Sequence, residues 1–473
     1  MTPNNTSANT IQEIFELQKA SRIKLAETTA DQRKEKLDKL LKTILNSQDE
    51  ICEAVYKDLH KSKEETKLTE IFSVTSEIKF VKRNLSKWMR PKKVSTPITL
   101  FGATSQIIYE SIGQSLIISP WNYPFQLAIG PLVSAIAAGN AVMIKPSEKS
   151  PNTSALLEKM LNNLFHKDEV RVFLGDAEVA KELTSLPFNH IFFTGNPEIG
   201  KLVMGAASKN LTKVTLELGG KSPSIINKDA DIKTSAKRIA WGKFLNAGQT
   251  CIAPDYLIVH NSIKGKLIEE LKNAITDLYG KENLNASDHH YPRMIDENQL
   301  QSVSELLEDA KANGAKVIHG GEVVKEDKYI SPTIIDNIKL DSKIMEKEIF
   351  GPLLPILSFE TEDEIIAITQ KNPNPLALYI FSNDKSFVKK ILKKIPAGGS
   401  AVNDVVVHFA NHNLPFGGIN RSGIGKAHGQ EGFKAFSNTK SLMKQSKLSS
   451  LKYFYPPYNN LKGKLIDLII KYF

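Results

Sequence analysis

An α/β fold built as two helix-covered sheet units is what this sequence predicts, and three observations carry that expectation. Short β-branched and aromatic runs alternate with helix-spaced segments from residue 114 to about 220. A second alternating set follows between residues 222 and 384. The length of 473 residues, with 41% apolar and 24% charged residues, leaves room for two or three domains with their own cores.

The amino-terminal part reads as helical. Thr10 followed by Glu13 has the spacing of a capping box, and Ile11, Ile14 and Phe15 form an apolar face behind it. Leu37, Leu40, Leu41, Ile44 and Leu45 repeat that spacing in a second helix, and Cys52 lies near its continuation as a buried helix residue. Pro91 and Pro97 mark a change of character. "SQIIYESIGQSLIIS" (105–119) then reads as two strands around a Gly113 turn. The first alternating set continues with "AVMIKPS" (141–147), "VRVFLG" (170–175), "HIFFTG" (190–195) and "VTLELGG" (214–220). The second comprises "SPSIIN" (222–227), "DYLIVH" (255–260), "PLLPILSF" (352–359) and "ALYIFSND" (377–384). From about 400 to 448 the chain returns to strand and glycine-loop character.

Composition excludes several function classes. Two cysteines do not make a disulfide scaffold or a cysteine zinc site, and no metal site is expected. No run of 18 apolar residues is present to span a bilayer as a helix. The first twenty residues carry no apolar signal core, so a reducing cytoplasm is the expected location. The net charge of +10 comes from lysines spread along the chain, with no nucleic-acid motif, and reads as a solvated surface.

The G-x-G-x-x-G dinucleotide fingerprint is absent. "GNPEIGK" (195–201) approaches a phosphate-binding loop, but Leu202 stands where Ser or Thr must hold magnesium, which rejects an NTPase. Gly195 and Gly200 still suit either an anion at a helix amino terminus or a tight strand-to-helix turn without a ligand.

Cys251, in "NAGQTCIAP", follows small and polar residues, and Glu217 lies 34 residues upstream beside a double glycine at a strand end. A thiol attacks well when nearby positive charge or backbone dipoles lower its pKa. A lone cysteine is nonetheless ordinarily buried structure, and a lone glutamate ordinarily solvated.

Seven motifs in order resolve that choice: "SPWNYPF" (119–125), "KPSE" (145–148), "FFTGNPEIG" (192–200), "LELGGKSP" (216–223), "FLNAGQTCIAPDY" (244–256), "EIFGPLLP" (348–355) and "LPFGGINRSGIGKAHG" (414–429). With them the chain resembles the aldehyde dehydrogenase superfamily from its helical start to about residue 445. "CIAPDY", "VNDVVVH" (402–408) and the short amino terminus resemble its class 3, or fatty aldehyde dehydrogenase, branch. The resemblance implies a Rossmann-type cofactor domain (1–90 and 114–217), an α/β catalytic domain (218–402) and a small bridging, dimer-forming sheet (91–113 and 403–448), followed by a basic tail (449–473). It implies a thioester mechanism with Cys251 as nucleophile, Asn122 and the Cys251 N–H as oxyanion donors, and Glu217 as the base for hydrolysis. For the cofactor, it implies Lys145 and Glu148 at the adenosine ribose, Gly195 to Gly200 around the pyrophosphate, and Glu348 and Phe350 at the nicotinamide ribose and ring. Glu148 would disfavour a 2′-phosphate, so NAD is expected, with NADP possible because the branch often uses both. Tyr123, Leu127, Trp241 and His412 match positions near the family's substrate channel, or pack the core. An apolar channel would suit medium or long aliphatic aldehydes, or aromatic ones. The rival readings are a coenzyme A-acylating enzyme, a non-catalytic relative, and a cysteine hydrolase using a histidine such as His190.

The tail "LKGKLIDLIIKYF" (461–473) is amphipathic when drawn as a helix. Leu461, Leu465, Leu468, Ile469 and Tyr472 share one side, widened by Ile466, Ile470 and Phe473, while Lys464, Asp467 and Lys471 lie opposite. Thirteen residues reach only about 20 Å, too short to cross a bilayer of about 30 Å. The tail therefore packs on protein, lies in a membrane surface, or roofs a substrate mouth.

Overall fold

A computed structural model of the chain describes residues 5–280, 291–447 and 449–472. Its largest features are a six-stranded and a seven-stranded sheet. The six-stranded sheet runs, in spatial order, Gly423–Ile424, Lys213–Leu218, His190–Gly195, Gln114–Ile118, Ala141–Lys145 and Val170–Val172. All neighbours are parallel except the Gly423–Ile424 edge. Side-chain alternation divides these strands between two cores. Ile117, Val142, Ile144 and Phe192 face helices that contribute Leu37, Leu40, Val55 and Ile78. Leu116, Ile118, Met143, Phe193 and Leu216 face Ile11, Phe15, Leu183 and Val203. Both faces are covered, which is why these strands read as unbroken apolar runs.

The seven-stranded sheet orders Lys316–His319, Thr333–Asp336, Leu353–Phe359, Tyr256–His260, Pro223–Ile226, Ala377–Phe381 and Gly399–Val402. It is parallel except at its first pair, and it carries the third and largest core. A separate three-stranded antiparallel sheet joins Lys92–Val94, Ala103–Ser111 and Ser437–Gln445.

Three sequence expectations need correction. The first helix, Ala8–Ala26, is capped by Ser7, whose Oγ accepts from the Thr10 N–H, so Thr10 sits inside the helix. Gly113 does not turn a hairpin: the strands on either side of it belong to different sheets. Its φ of +117° swings the chain between them, and a Cβ there would lie 2.5 Å from Asn189 Oδ1. Within 403–436, Gly423–Ile424 joins the six-stranded sheet rather than the three-stranded one. Cys52 is buried in the helix Gln48–Leu59, as expected.

In the six-stranded sheet the chain starts at the central strand Gln114–Ile118, winds one way, and then returns to wind the other way from His190–Gly195. The crevice at the carboxyl ends of these two strands is the switch point where open α/β sheets bind ligands. Asn122, Gly195 and Glu217 all lie at that end.

Candidate active site

A cavity of about 930 Å³ opens there. It brings together ten of the thirteen residues singled out from sequence: Asn122, Tyr123, Leu127, Gly195, Glu217, Trp241, Cys251, Glu348, Phe350 and His412. Lys145, Glu148 and Gly200 do not line it. Lys145 ends its strand buried, with Nζ 2.5 Å from Glu148 Oε2. Gly200 packs the helix Pro197–Ser208 against the neighbouring strand, where a Cβ would meet Leu218 Cδ2 at 2.7 Å. His190, the histidine of the hydrolase reading, is also outside the cavity. It is buried near the opposite end of the sheet, with Nε2 2.9 Å from Thr215 Oγ1, and burial lowers its pKa to about 3.

Cys251 is delivered by a strained turn. Asn246 and Ala247 have φ of 53° and 51°, and Gly248 has φ of 73°. Left-handed non-glycine residues cost about 1–3 kcal/mol each and persist only where surrounding contacts hold them. Here Asn246 donates through Nδ2 to the carbonyls of Asn122 (2.7 Å) and Gln249 (3.1 Å), and through its backbone N–H to Glu65 Oε1 (2.8 Å). Gln249 donates to the Arg293 carbonyl (3.0 Å) and accepts from the Ile295 N–H (3.1 Å). Only glycine fits at 248, because a Cβ would lie 2.3 Å from the Gly351 carbonyl oxygen.

Asn122 is buried, and its Nδ2 donates to the Gln249 carbonyl at 3.0 Å. An amide nitrogen has two hydrogens, so one remains for an oxyanion. Tyr123 Oη lies 2.6 Å from Thr250 Oγ1, beside the cysteine. Behind these residues lies an ion pair that sequence reasoning missed. Lys61 and Glu70 are wholly buried, 2.8 Å apart. Lys61 also donates to the Asn122 carbonyl (3.4 Å) and sits 4.1 Å over the Tyr123 ring. Glu70 accepts from the N–H groups of Phe125 (3.2 Å) and Gln126 (2.8 Å), where the helix Gln126–Ala138 begins. Glu70 stands in a π-helical stretch, Lys67–Phe72, a geometry frequent at functional sites.

The electrostatics are those of a dry site. Burial, aided by the carboxylates of Glu348 and Glu217, pushes the Cys251 thiol above its usual range, against hydrogen bonds from the N–H groups of Cys251 and Ile252. Burial also raises Glu217 well above the ordinary carboxylate range, opposed by Lys426. Neither Glu217 oxygen has a hydrogen-bond partner among the described residues. Glu348 is likewise raised, by burial and then Asp255, with Lys221 opposing. Gly219 makes room for it: a Cβ there would lie 1.9 Å from Glu348 Oε2. Phe350 has φ of 51°, and its ring meets Trp121 edge-on at 5.4 Å. His412 is tied down at the cavity wall, with Nδ1 2.6 Å from Glu77 Oε2 and Nε2 3.0 Å from Ser76 Oγ. No cluster able to hold a metal ion occurs among the described residues.

A buried thiol, an amide donor and a buried carboxylate on one cavity at a sheet switch point agree with comparison to known proteins. The aldehyde dehydrogenase family profile matches residues 1–442. The chain is 43% identical over 433 residues to 4,4'-diaponeurosporen-aldehyde dehydrogenase of Staphylococcus aureus, covering 91% of this chain and 92% of that one. It is 40% identical over 435 residues to aldehyde dehydrogenase family 3 member H1 of Arabidopsis thaliana, covering 92% and 89%. The solved structure of Staphylococcus aureus AldH in a substrate-bound state superposes with a TM-score of 0.93 at 41% identity, covering 97% of this chain and 99% of that one. The chain belongs to the aldehyde dehydrogenase family, oxidoreductases that convert aldehydes to carboxylic acids, and its relatives include the family 3 branch.

Proposed function

We propose that this enzyme oxidises medium- to long-chain aliphatic or aromatic aldehydes through a thioester on Cys251, with NAD as the preferred form of the family's NAD(P) cofactor. The observation that carries this reading is the convergence of Cys251, Asn122 and Glu217 on one cavity. The Cys251 thiolate attacks the aldehyde carbonyl carbon, and the oxyanion so formed is held by the free Asn122 N–H and the Cys251 backbone N–H. When bound, the dinucleotide supplies the hydride acceptor that completes oxidation to the thioester. Glu217 then takes a proton from water, the oxygen adds to the thioester carbonyl, and the thiolate leaves as the acid is released. Burial raises the Glu217 carboxyl, which makes its ionised form a stronger base.

The residues present fit a dinucleotide. Gly195 meets the cavity without a side chain, Gly219 leaves room beside Glu348, and the helix Pro197–Ser208 starts at the strand end. Lys145 and Glu148 would hold the adenosine ribose, the stretch from Gly195 to Gly200 the pyrophosphate, and Glu348 and Phe350 the nicotinamide end. Leu68, Phe72, Leu127, Trp241 and Phe409 supply apolar wall for a long or aromatic substrate.

A homodimer is supported by the strand Ser437–Gln445, which among the described residues pairs on one edge only and leaves the other edge of its nine residues open to a second copy. Surface contact of the tail with anionic lipid in a cytoplasmic setting is supported by the helix Asn460–Tyr472. None of its residues is buried, and Leu461 and Ile470 are 77% and 76% exposed. It does not line its own subunit's cavity. Phe473 lies outside the described residues. No helix among the described residues is long and apolar enough to cross a membrane.

The test is a panel of aldehydes of rising chain length, read by NADH and NADPH absorbance, with wild type and Asn122→Ala. Rising kcat/KM with chain length, and a burst slowed about 10²–10³-fold in the variant, are expected. An unaltered burst, or acyl-coenzyme A as the product, would contradict the reading.

A further inference from the structure

The loop that closes the site from the carboxyl-terminal side carries a cation, Lys426, with no acidic partner within salt-bridge distance among the described residues. Gly423–Ile424 pairs antiparallel with the strand bearing Glu217, and Gly423 stands opposite Glu217 itself. Three residues on, Lys426 folds back beneath the loop. Its Nζ donates to the carbonyls of Gly417, Gly418 (3.3 Å) and Gly398 (3.4 Å). Three neutral carbonyls fix the ammonium in place without cancelling its charge, and no carboxylate pairs with it among the described residues. A Cβ built on Gly417 would lie 2.9 Å from Glu217 Oε1 and 3.1 Å from Lys426 Cδ, so carboxylate and lysine stem flank the same point. Among the described residues, both Glu217 oxygens lack a hydrogen-bond partner.

We propose that Lys426 is a positioning residue for Glu217, acting through its charge to keep the carboxylate ionised while water attacks the thioester. This rests on the proposed role of Glu217 as the hydrolytic base. A protonated carboxyl cannot take a proton from water, and burial drives Glu217 toward that form. Other ionisable groups line the same cavity: Cys251, Glu348 beyond Gly219, Arg421 on the exposed part of the same loop, His428, and Lys221, whose charge is paired with Asp255. Once acylated, the Cys251 sulfur is uncharged, and Glu348 can only repel. Lys426 is then the cation whose place is fixed beside Glu217. The carbonyl clamp also explains why a flexible lysine serves here: its position is set by backbone on three sides.

The experiment follows decay of the acyl-enzyme across pH by rapid quench and intact mass, using full-length wild type, Lys426→Met, Lys426→Gln and Lys426→Arg. Removing the cation disfavours the charged carboxylate, so the acid limb of the decay profile should move up by about one pH unit in the Met and Gln variants. That shift slows decay about tenfold at neutral pH and restores it at alkaline pH. Lys426→Arg should retain the wild-type limb, and the NADH burst should keep its rate in all three. An unmoved acid limb in the Met and Gln variants overturns the proposal, provided Glu217→Gln still arrests decay. So does a pH-independent loss with a lowered melting temperature, which would mark Lys426 as a loop cap alone. If Glu217→Gln decays normally, the base assignment itself fails, a distinct outcome that the same assay reads.

Discussion

Lys61 and Glu70 form a buried ion pair behind the catalytic loop, and their energetics can be worked from the contacts. Each side chain is wholly buried, and the two are 2.8 Å apart. Removing one partner of such a pair typically costs about 3–5 kcal/mol, because the other charge is left uncompensated. Lys61→Met leaves the Glu70 carboxylate with two backbone donors, Phe125 and Gln126, at a helix start. Those charge-assisted bonds and the helix dipole offset part of the loss, so about 2–4 kcal/mol is expected. Glu70→Gln sets a neutral amide against the Lys61 ammonium, which keeps the Asn122 carbonyl, the Tyr123 ring and the charge of Glu65 as favourable neighbours. A cost near the upper figure, about 4 kcal/mol, follows. The double variant Lys61→Met with Glu70→Gln buries no charge and should be less destabilised than the sum of the singles by about 2 kcal/mol or more. Denaturant titration followed by circular dichroism reads the cycle. Because Lys61 holds the Asn122 carbonyl, Lys61→Met should also slow the NADH burst. Additive effects, or singles within about 0.5 kcal/mol of wild type, would refute the reasoning.

Gly248→Ala places a Cβ 2.3 Å from the Gly351 oxygen at a φ of 73°. Displacing the Cys251 turn should cut the acylation rate at least about tenfold, read as a slower burst; an unchanged burst would show that the turn tolerates a side chain. Burial alone would raise Glu77, but hydrogen bonding to His412, the His428 charge and the Gly429 N–H hold it below its ordinary 4.5. A lowered folded-state pKa gives stability that is present above about pH 4.5 and lost as pH falls through the folded value. The deficit of Glu77→Gln in thermal melts should therefore be largest near neutrality and shrink in acid. Truncation after Tyr455 removes a helix with no buried residue, so the melting temperature should hold while sedimentation with anionic vesicles is lost. Retained sedimentation would place any lipid contact elsewhere.

Much of the architecture was legible because parallel strands buried on both faces appear as uninterrupted apolar runs, as in Gln114–Ile118 and Ala377–Phe381. Lys316–His319 escaped notice because it is a partly exposed edge strand whose lysine and histidine ends leave no apolar run. Two apolar runs around Gly113 looked like a hairpin because sheet membership is a long-range property that a local pattern does not encode. The start of the first helix was misplaced because Ser7 and Thr10 are both good caps three residues apart, and tertiary packing decides between them. Cys251, Asn122 and Glu217 were found through long motifs rather than through their residue types, which taken singly favour blander roles. Lys61 and Glu70 were missed because "HKSKEETKLTE" has the composition of a solvated helix face, and only the fold turns those two charges inward. Lys426 was hidden within a glycine-rich loop whose return to the sheet is not visible in sequence.

The central claim, that Cys251 carries the acyl group and Glu217 removes it, is tested most directly by intact-mass analysis of Glu217→Gln mixed with NAD and a long-chain aldehyde. The account predicts one acyl adduct per chain, mapped to Cys251 by peptide digestion, formed with a single burst of NADH and persisting while wild type turns over. Steady turnover by the variant without an adduct, or an adduct on any other residue, would contradict it.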